Sequence, residues 1–346
     1  MKKSMVTFIG AFAIPYIILS IFIFWVDPYY VFHAPWFQME PIQTHSAHYV
    51  ARGLIRNLDY DILLCGTSMC ENMHTDYIDE VFDGKSIKVI QHGSYSNDLA
   101  ASLKQAARSG KAQTVIMGLD TGVIQKPSEG YRIENIPRYA VTTPTLINAA
   151  SYLFNIDNLE PCLELIKANR NGKTNSMNSW WEKAADSYSQ ENVAAAWRES
   201  KAKEAGLVEI DETLAWENYS NLAEGLEECA DQEIPIKFFI PPYSIAYLSL
   251  HDYGHDLDVY KEIWREILQY DNVELYAIQF DTELIQHLEW YYNTNHYNGL
   301  VCDRIIDDIA ERKFLLTLDN IDEEVDKFKQ FLAGYNWEEL EAVLAE

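Results

Sequence analysis

Asp61-Ile-Leu-Leu-Cys-Gly66-Thr-Ser68-Met-Cys-Glu71 is the stretch on which the reading of this chain turns. Asp61–Cys65 is a short apolar run that stops at Gly66, the pattern of a buried strand entering a sharp turn. Ser68 then stands where a helix can start. A hydroxyl there lies near unpaired backbone N–H groups and the positive end of the helix dipole, features that favour an oxyanion. Ser68-x-x-Glu71 equally matches a capping box, in which the hydroxyl only caps the helix. On this motif alone, capping is the stronger reading.

Working outward, the same strand-then-turn pattern recurs at Ile87–Gln91 before His92-Gly93 and at Thr114–Met117 before Gly118. It appears again at Ile236–Ile240 before Pro241-Pro242, and at Val273–Ile278. Asn97–Arg108 is a helical pattern ending near Gly110, with Ser96 as its expected N-cap. His45–Leu58 and Leu300–Glu311 also read as helices. Five apolar strands, some separated by helical patterns, imply an α/β fold with a mostly parallel five-stranded sheet covered on both faces. Right-handed crossovers gather the strand C-terminal ends on one edge, where open α/β sheets bind ligands. That edge comprises Gly66–Glu71, His92–Asn97, Gly118–Thr121 and the segment after Ile278.

The flanks are of a different kind. Met5–Val26 is a run of 22 uncharged residues, preceded by Lys2 and Lys3 and followed by Asp27. A helix of that length spans roughly 30 Å of hydrocarbon. The next basic residue is Arg52, so the charge rule places the N-terminus in the cytoplasm and the main domain outside. No small-x-small cleavage site follows, which favours an uncleaved anchor over a signal peptide. The expected organisation is a cytoplasmic stub and transmembrane anchor at 1–26 and a juxtamembrane connector at 27–44. An α/β domain follows at 45–317, carrying a helical insertion at about 127–216, and an acidic helical tail occupies 318–346. The insertion, with Trp180, Trp181, Trp197 and Trp216, is either a wall of the substrate site or an ordinary helical layer. The tail is either a solvated face or a docking segment.

With 27 basic and 53 acidic residues the formal net charge is −26, which repels phosphate backbones and argues against general nucleic-acid binding. Five scattered cysteines are too few for a disulfide scaffold. His251 and His255 have the i, i+4 spacing of some metal sites, but no third ligand is evident and no metal is expected. No phosphate-binding glycine loop is present, and no cofactor is expected.

The second motif with chemical content is Trp290-Tyr-Tyr-Asn293-Thr-Asn-His296-Tyr297-Asn298. An imidazole titrates near neutrality and can accept a serine proton and pass it on. Ser68 follows the first strand and His296 the last. In this arrangement the chain resembles the SGNH (GDSL-like) hydrolase superfamily. It is most similar to the membrane-anchored bacterial branch associated with acylation of cell-surface polymers. Gly66-Thr67-Ser68 resembles the first block, with Ser68 as nucleophile. Gly93 resembles the glycine of the second block, whose N–H helps form the oxyanion hole. Asp120, in Gly118-Leu119-Asp120, falls where the third block is expected. Asn293-x-x-His296 resembles the final Asp-x-x-His block, with His296 as base. Phe238–Tyr243 and Asp27-Pro28-Tyr29 are also similar to that branch.

The resemblance implies a three-layer flavodoxin-like fold and a Ser-His acyl-enzyme mechanism. Ser68, His296 and Asn293 would be catalytic, with Gly93, Asp120 and Asn97 on the oxyanion and substrate side. It further implies an acylated envelope glycan or polymer as substrate and a multi-span membrane acyltransferase as possible partner. The chain departs from the family at two positions. Asp120 replaces an Asn, and an ionised carboxylate has no hydrogen to donate. Asn293 replaces the acid; its carbonyl can orient His296 but supplies no full charge to an imidazolium. Asp281 and Glu289 are alternative acids. A second reading follows from these departures: an inactive or weakened relative that binds glycan or scaffolds an envelope acylation complex.

Overall fold

The computed structural model describes residues 2–36, 47–133, 145–171, 187–203 and 210–345, with helix Lys2–Val26 described as backbone only through residue 12. Trp180, Trp181 and parts of the connector and insertion lie outside the described residues. The chain divides into two compact units, Met1–Asp59 with Ile133–Met177, and Tyr60–Arg132 with Asn178–Glu346.

The first unit contains helices Lys2–Val26, Ala47–Asn57, Leu146–Leu153 and Leu159–Arg170. Its organising residue is Asp27, wholly buried at the end of the first helix. Asp27 Oδ1 accepts from Val31 N at 2.9 Å and from Tyr152 Oη at 2.9 Å, while Oδ2 accepts from Phe32 N at 2.7 Å and His33 N at 3.1 Å. One carboxylate thereby satisfies three amides that a turn would otherwise leave unpaired. Among the described residues no helix is long and apolar enough to cross a membrane. The expected anchor at Met5–Val26 lies in part outside the residues whose side chains are described.

The second unit is α/β. Its strands are β1 (Ile62–Gly66), β2 (Ser86–Ile90), β3 (Thr114–Gly118), β4 (Ile236–Phe239), β5 (Val273–Tyr276) and β6 (Leu315–Leu316), in the order β2-β1-β3-β4-β5-β6. The first five are mutually parallel, and β6 pairs antiparallel with β5 through Leu275↔Leu316 and Tyr276↔Leu315. The expected five-stranded sheet therefore has six strands. The sixth is two residues long, too short to leave a period-two pattern. All five residues of β1 are buried, so both faces of the sheet are covered, and its continuous apolar run follows from that.

Helix Ser96–Ser109 starts one residue earlier than expected. Tyr95 is its N-cap, and Asp98 Oδ2 accepts from Tyr95 N at 2.9 Å. The expected cap, Ser96, is instead the first helical residue and donates to Asn218 Oδ1 at 2.6 Å. That contact ties it to helix Glu212–Asp231, which packs alongside. In the insertion, Trp197 is buried and donates from Nε1 to Ser249 Oγ at 2.8 Å, as part of a helical layer. The acidic tail forms helices Ile321–Gly334 and Trp337–Ala345.

Candidate active site

Because β1 to β5 are parallel, the turns after their C-terminal ends share one edge. After β1 the chain enters a single 3₁₀ turn, Ser68–Cys70. Thr67, not Ser68, is the cap: its Oγ1 accepts from Met69 N at 3.2 Å and donates to Asp120 Oδ2 at 3.0 Å. The capping reading of Ser68 is thus corrected. Its neighbour does that work, and the Ser68 hydroxyl points elsewhere. The turn can be this tight because the Cys70 thiol lies between two glycines. A Cβ on Gly66 would meet Cys70 Sγ at 2.6 Å, and one on Gly118 would meet it at 2.4 Å.

Ser68 Oγ lies 2.9 Å from His296 Nε2, across 228 residues of sequence. The other ring nitrogen, Nδ1, is 3.1 Å from Asn293 Oδ1. That oxygen also accepts from Asn295 N at 3.1 Å and His296 N at 2.8 Å. Two amide donors identify it as the carbonyl oxygen, so Nδ1 carries the proton and donates to it. Nε2 is then the free lone pair, and the Ser68 hydroxyl donates to it. Asp281 is paired with Arg304, and Glu289 is paired with His287, so neither takes the place of Asn293.

The histidine loop is rigidly held. Tyr292 N donates to His296 O at 2.8 Å, and Tyr291 pairs with Tyr297 in an antiparallel bridge. Ser244 N, after β4, donates to Thr294 O at 3.2 Å. Asn298 caps helix Gly299–Ala310 by accepting from Val301 N at 3.1 Å. Asn72 joins the two halves of the site, donating to Tyr297 O at 2.6 Å and to Tyr188 Oη at 3.1 Å.

The other singled-out positions divide. Gly93 follows β2 with φ +63°, a conformation that favours glycine, next to the Ser68 turn through Gln91 N donating to Gly66 O at 2.9 Å. Among the described residues, neither the Ser68 nor the Gly93 amide donates to another protein group. Asp120 accepts from Thr67, from Gly122 N at 2.8 Å and from the Tyr243 hydroxyl. It is a support for three loops with its carboxylate turned into the protein. Asn97 donates to Ser128 O at 2.8 Å and to Gly130 O at 2.9 Å, so both its amide hydrogens hold a loop.

Several supporting residues carried no signal in the sequence. Thr67 and Tyr243 lie inside motifs already quoted and Asn72 directly follows one, but their partners are distant in the chain. Lys88 reaches from β2 beneath the Ser68 turn and donates to Glu71 O at 2.8 Å and Met73 O at 2.9 Å. Burial pushes its ammonium down to about 8. Glu71 is buried and accepts from His92 Nε2 at 2.8 Å. Among the described residues no cluster of three or more metal-ligating side chains is present.

A hydroxyl on a neutral imidazole, an oriented second nitrogen and two unused backbone N–H groups on adjacent turns are the parts of nucleophilic acyl transfer. No family model matches the chain, and no curated protein matches it.

Proposed function

We propose that this chain is a serine-dependent acyl esterase or O-acyltransferase of the SGNH (GDSL-like) type. It acts outside the cytoplasm on a cell-envelope glycan or related polymer. The carrying observation is the 2.9 Å contact between Ser68 Oγ and His296 Nε2, with Asn293 on the far ring nitrogen. Ser68 Oγ attacks the acyl carbonyl while its proton passes to His296 Nε2. The tetrahedral oxyanion is received by the Ser68 and Gly93 amides. Collapse breaks the bond to the leaving oxygen, which takes the proton from His296. An acceptor hydroxyl then gives its proton to His296 and attacks the acyl-enzyme; the bond from the acyl carbon to Ser68 Oγ breaks, and Ser68 Oγ takes the proton back from His296. Water as acceptor yields an esterase, and a sugar hydroxyl yields a transferase. No cofactor enters these steps.

Half-buried aromatic rings beside His296 support a sugar-bearing substrate. Tyr188 and Tyr292 meet edge to face at 6.4 Å, and His287 stacks on Trp290 at 4.2 Å. The uncharged run Met5–Val26 within helix Lys2–Val26 supports attachment to the bilayer, N-terminus inside. A multi-span membrane acyltransferase is the corresponding donor partner.

Asn293 and Asp120 favour a second reading, a non-catalytic glycan-binding partner in an envelope acylation complex. The two are separated by labelling the purified full chain and its Ser68→Ala variant with a fluorophosphonate probe, with thermal melts to show that both are folded. The catalytic reading expects labelling of the wild type only. Equal labelling, or none, removes Ser68 as nucleophile.

A further inference from the structure

Two cations stand over the glycine of this site. Lys126 directly follows the 3₁₀ turn Thr121–Gln125, and Arg132 lies six residues further on. The segment between them is pinned. Asn97 and Asn221 both donate to Ser128 O, at 2.8 and 2.7 Å, and Arg132 N donates to Asp98 Oδ2 at 3.0 Å. A Cβ placed on Gly93 would lie 3.2 Å from Arg132 Nε and 4.0 Å from Lys126 Nζ. Among the described residues, Lys126 Nζ has only a long contact, 3.4 Å to Ser94 O.

The electrostatics of this pair are unfinished. Among the described residues neither Lys126 nor Arg132 is in an ion pair, although acidic residues outnumber basic ones 53 to 27. The nearby carboxylates are committed elsewhere: Asp120 to Thr67, Gly122 and Tyr243, and Asp98 to the Tyr95 and Arg132 amides. Burial lowers the Lys126 pKa, and Arg132 pushes in the same direction against the pull of Asp120 and Asp98. Two like charges side by side on a partly desolvated rim repel each other, and a bound anion turns that repulsion into attraction. The chain as a whole carries a net charge of −26, so a pair of cations outside any ion pair beside Gly93 is a local exception to a field that repels anions.

We propose that Lys126 and Arg132 seat a carboxylate carried on a sugar ring of the polymer, so that the substrate is an acidic glycan. The aromatic rings at Tyr188 and Tyr292 favour a sugar over a polyol phosphate as the carrier of the charge. The proposal deepens the acyl-transfer reading and rests on it for the identity of the site, but binding can be measured without turnover.

The experiment titrates oligogalacturonate, a neutral glucan of equal length and a polyglycerol phosphate into full-length Ser68→Ala protein. The acidic glycan is expected to bind ~10-fold or more tightly than the neutral one, with the advantage shrinking as salt rises. Adding Lys126→Met and Arg132→Met should abolish the preference, whereas the charge-keeping pair Lys126→Arg and Arg132→Lys should retain it. Equal binding of acidic and neutral glycans, or a preference that survives the methionine pair, overturns the seat. Tighter binding of the polyol phosphate overturns the sugar carboxylate. Fluorophosphonate labelling of the wild type reads the other question independently. Labelled protein without an acidic preference fails the seat alone, and an acidic preference without labelling fails the nucleophile alone.

Discussion

Asn293 makes three contacts through one oxygen, and this is why an amide can serve where a carboxylate would be expected. It fixes the turn through the Asn295 and His296 amides and fixes the ring through Nδ1. What it does not provide is a full charge opposite the imidazolium. Asn293→Asp should therefore raise the His296 pKa and move the acid limb of the labelling pH profile to higher pH by about 1 unit or more. The plateau rate should rise ~10-fold or more, by analogy with the loss seen when a triad Asp becomes Asn. Stopped-time labelling between pH 5 and 9 reads both, and an unshifted profile would disconnect Asn293 from the base. Lys88 carries a second residue-scale prediction. The unfolded chain holds its proton up to 10.5, whereas the fold releases it from about 8. In that window the unfolded state binds more protons, so stability rises with pH, by up to about 3 kcal/mol. Urea unfolding at pH 7.5 and 9.5 should show a smaller rise in Lys88→Met than in wild type.

At the scale of elements, the Ser68 turn depends on the fit of a thiol between β1 and β3. Gly118→Ala would bring a methyl to 2.4 Å from Cys70 Sγ, and overpacking of this kind costs about 1–3 kcal/mol. Cys70→Ala removes the obstructing sulfur. The double variant should consequently be more stable than the sum of the two single losses predicts, as read from urea midpoints. Strict additivity would show that the two positions do not share this space. The strand runs were legible from the sequence because each is mostly apolar and stops at a turn residue; β1 is buried throughout, while β2, β4 and β5 each carry one charged residue, Lys88, Lys237 and Glu274. Boundaries moved by a residue where backbone pairing, invisible in the pattern, continued one position further. β3 extends to Gly118 because Gly118 pairs with Phe239.

For the molecule as a whole, the tail belongs to the core of the second unit. Ile321, Val325, Phe328, Leu332 and Leu344 are buried, and Phe328 stacks on Phe280 at 4.7 Å. Lys329 meets Asp258 at 2.8 Å, and Arg198 donates to Leu344 O at 2.7 Å. Burying five large apolar side chains stabilises a fold by about 10 kcal/mol as an upper bound, comparable with the whole stability of a domain. A chain ending at Leu318 should accumulate as insoluble protein, or melt well below the full chain. An unchanged melting temperature would return the tail to the status of a solvated appendage.

Residue pattern alone determined the α/β class, the order of strands and helices, the pairing of Ser68 with His296 as candidates and the acidic amphipathic tail. These are written locally, in periodicity, turn residues and short motifs, because they follow from which side chains must leave water. Tertiary structure decided everything that depends on partners far apart in sequence: Thr67 as the cap that leaves Ser68 available, the Nδ1 tautomer set by Asn293, and the withdrawal of Asp120 into a loop support. It also decided the short antiparallel strand and the cation pair over Gly93. Hydrogen bonds and charge pairs form between positions that share no local pattern, so only the folded backbone can say which donor meets which acceptor.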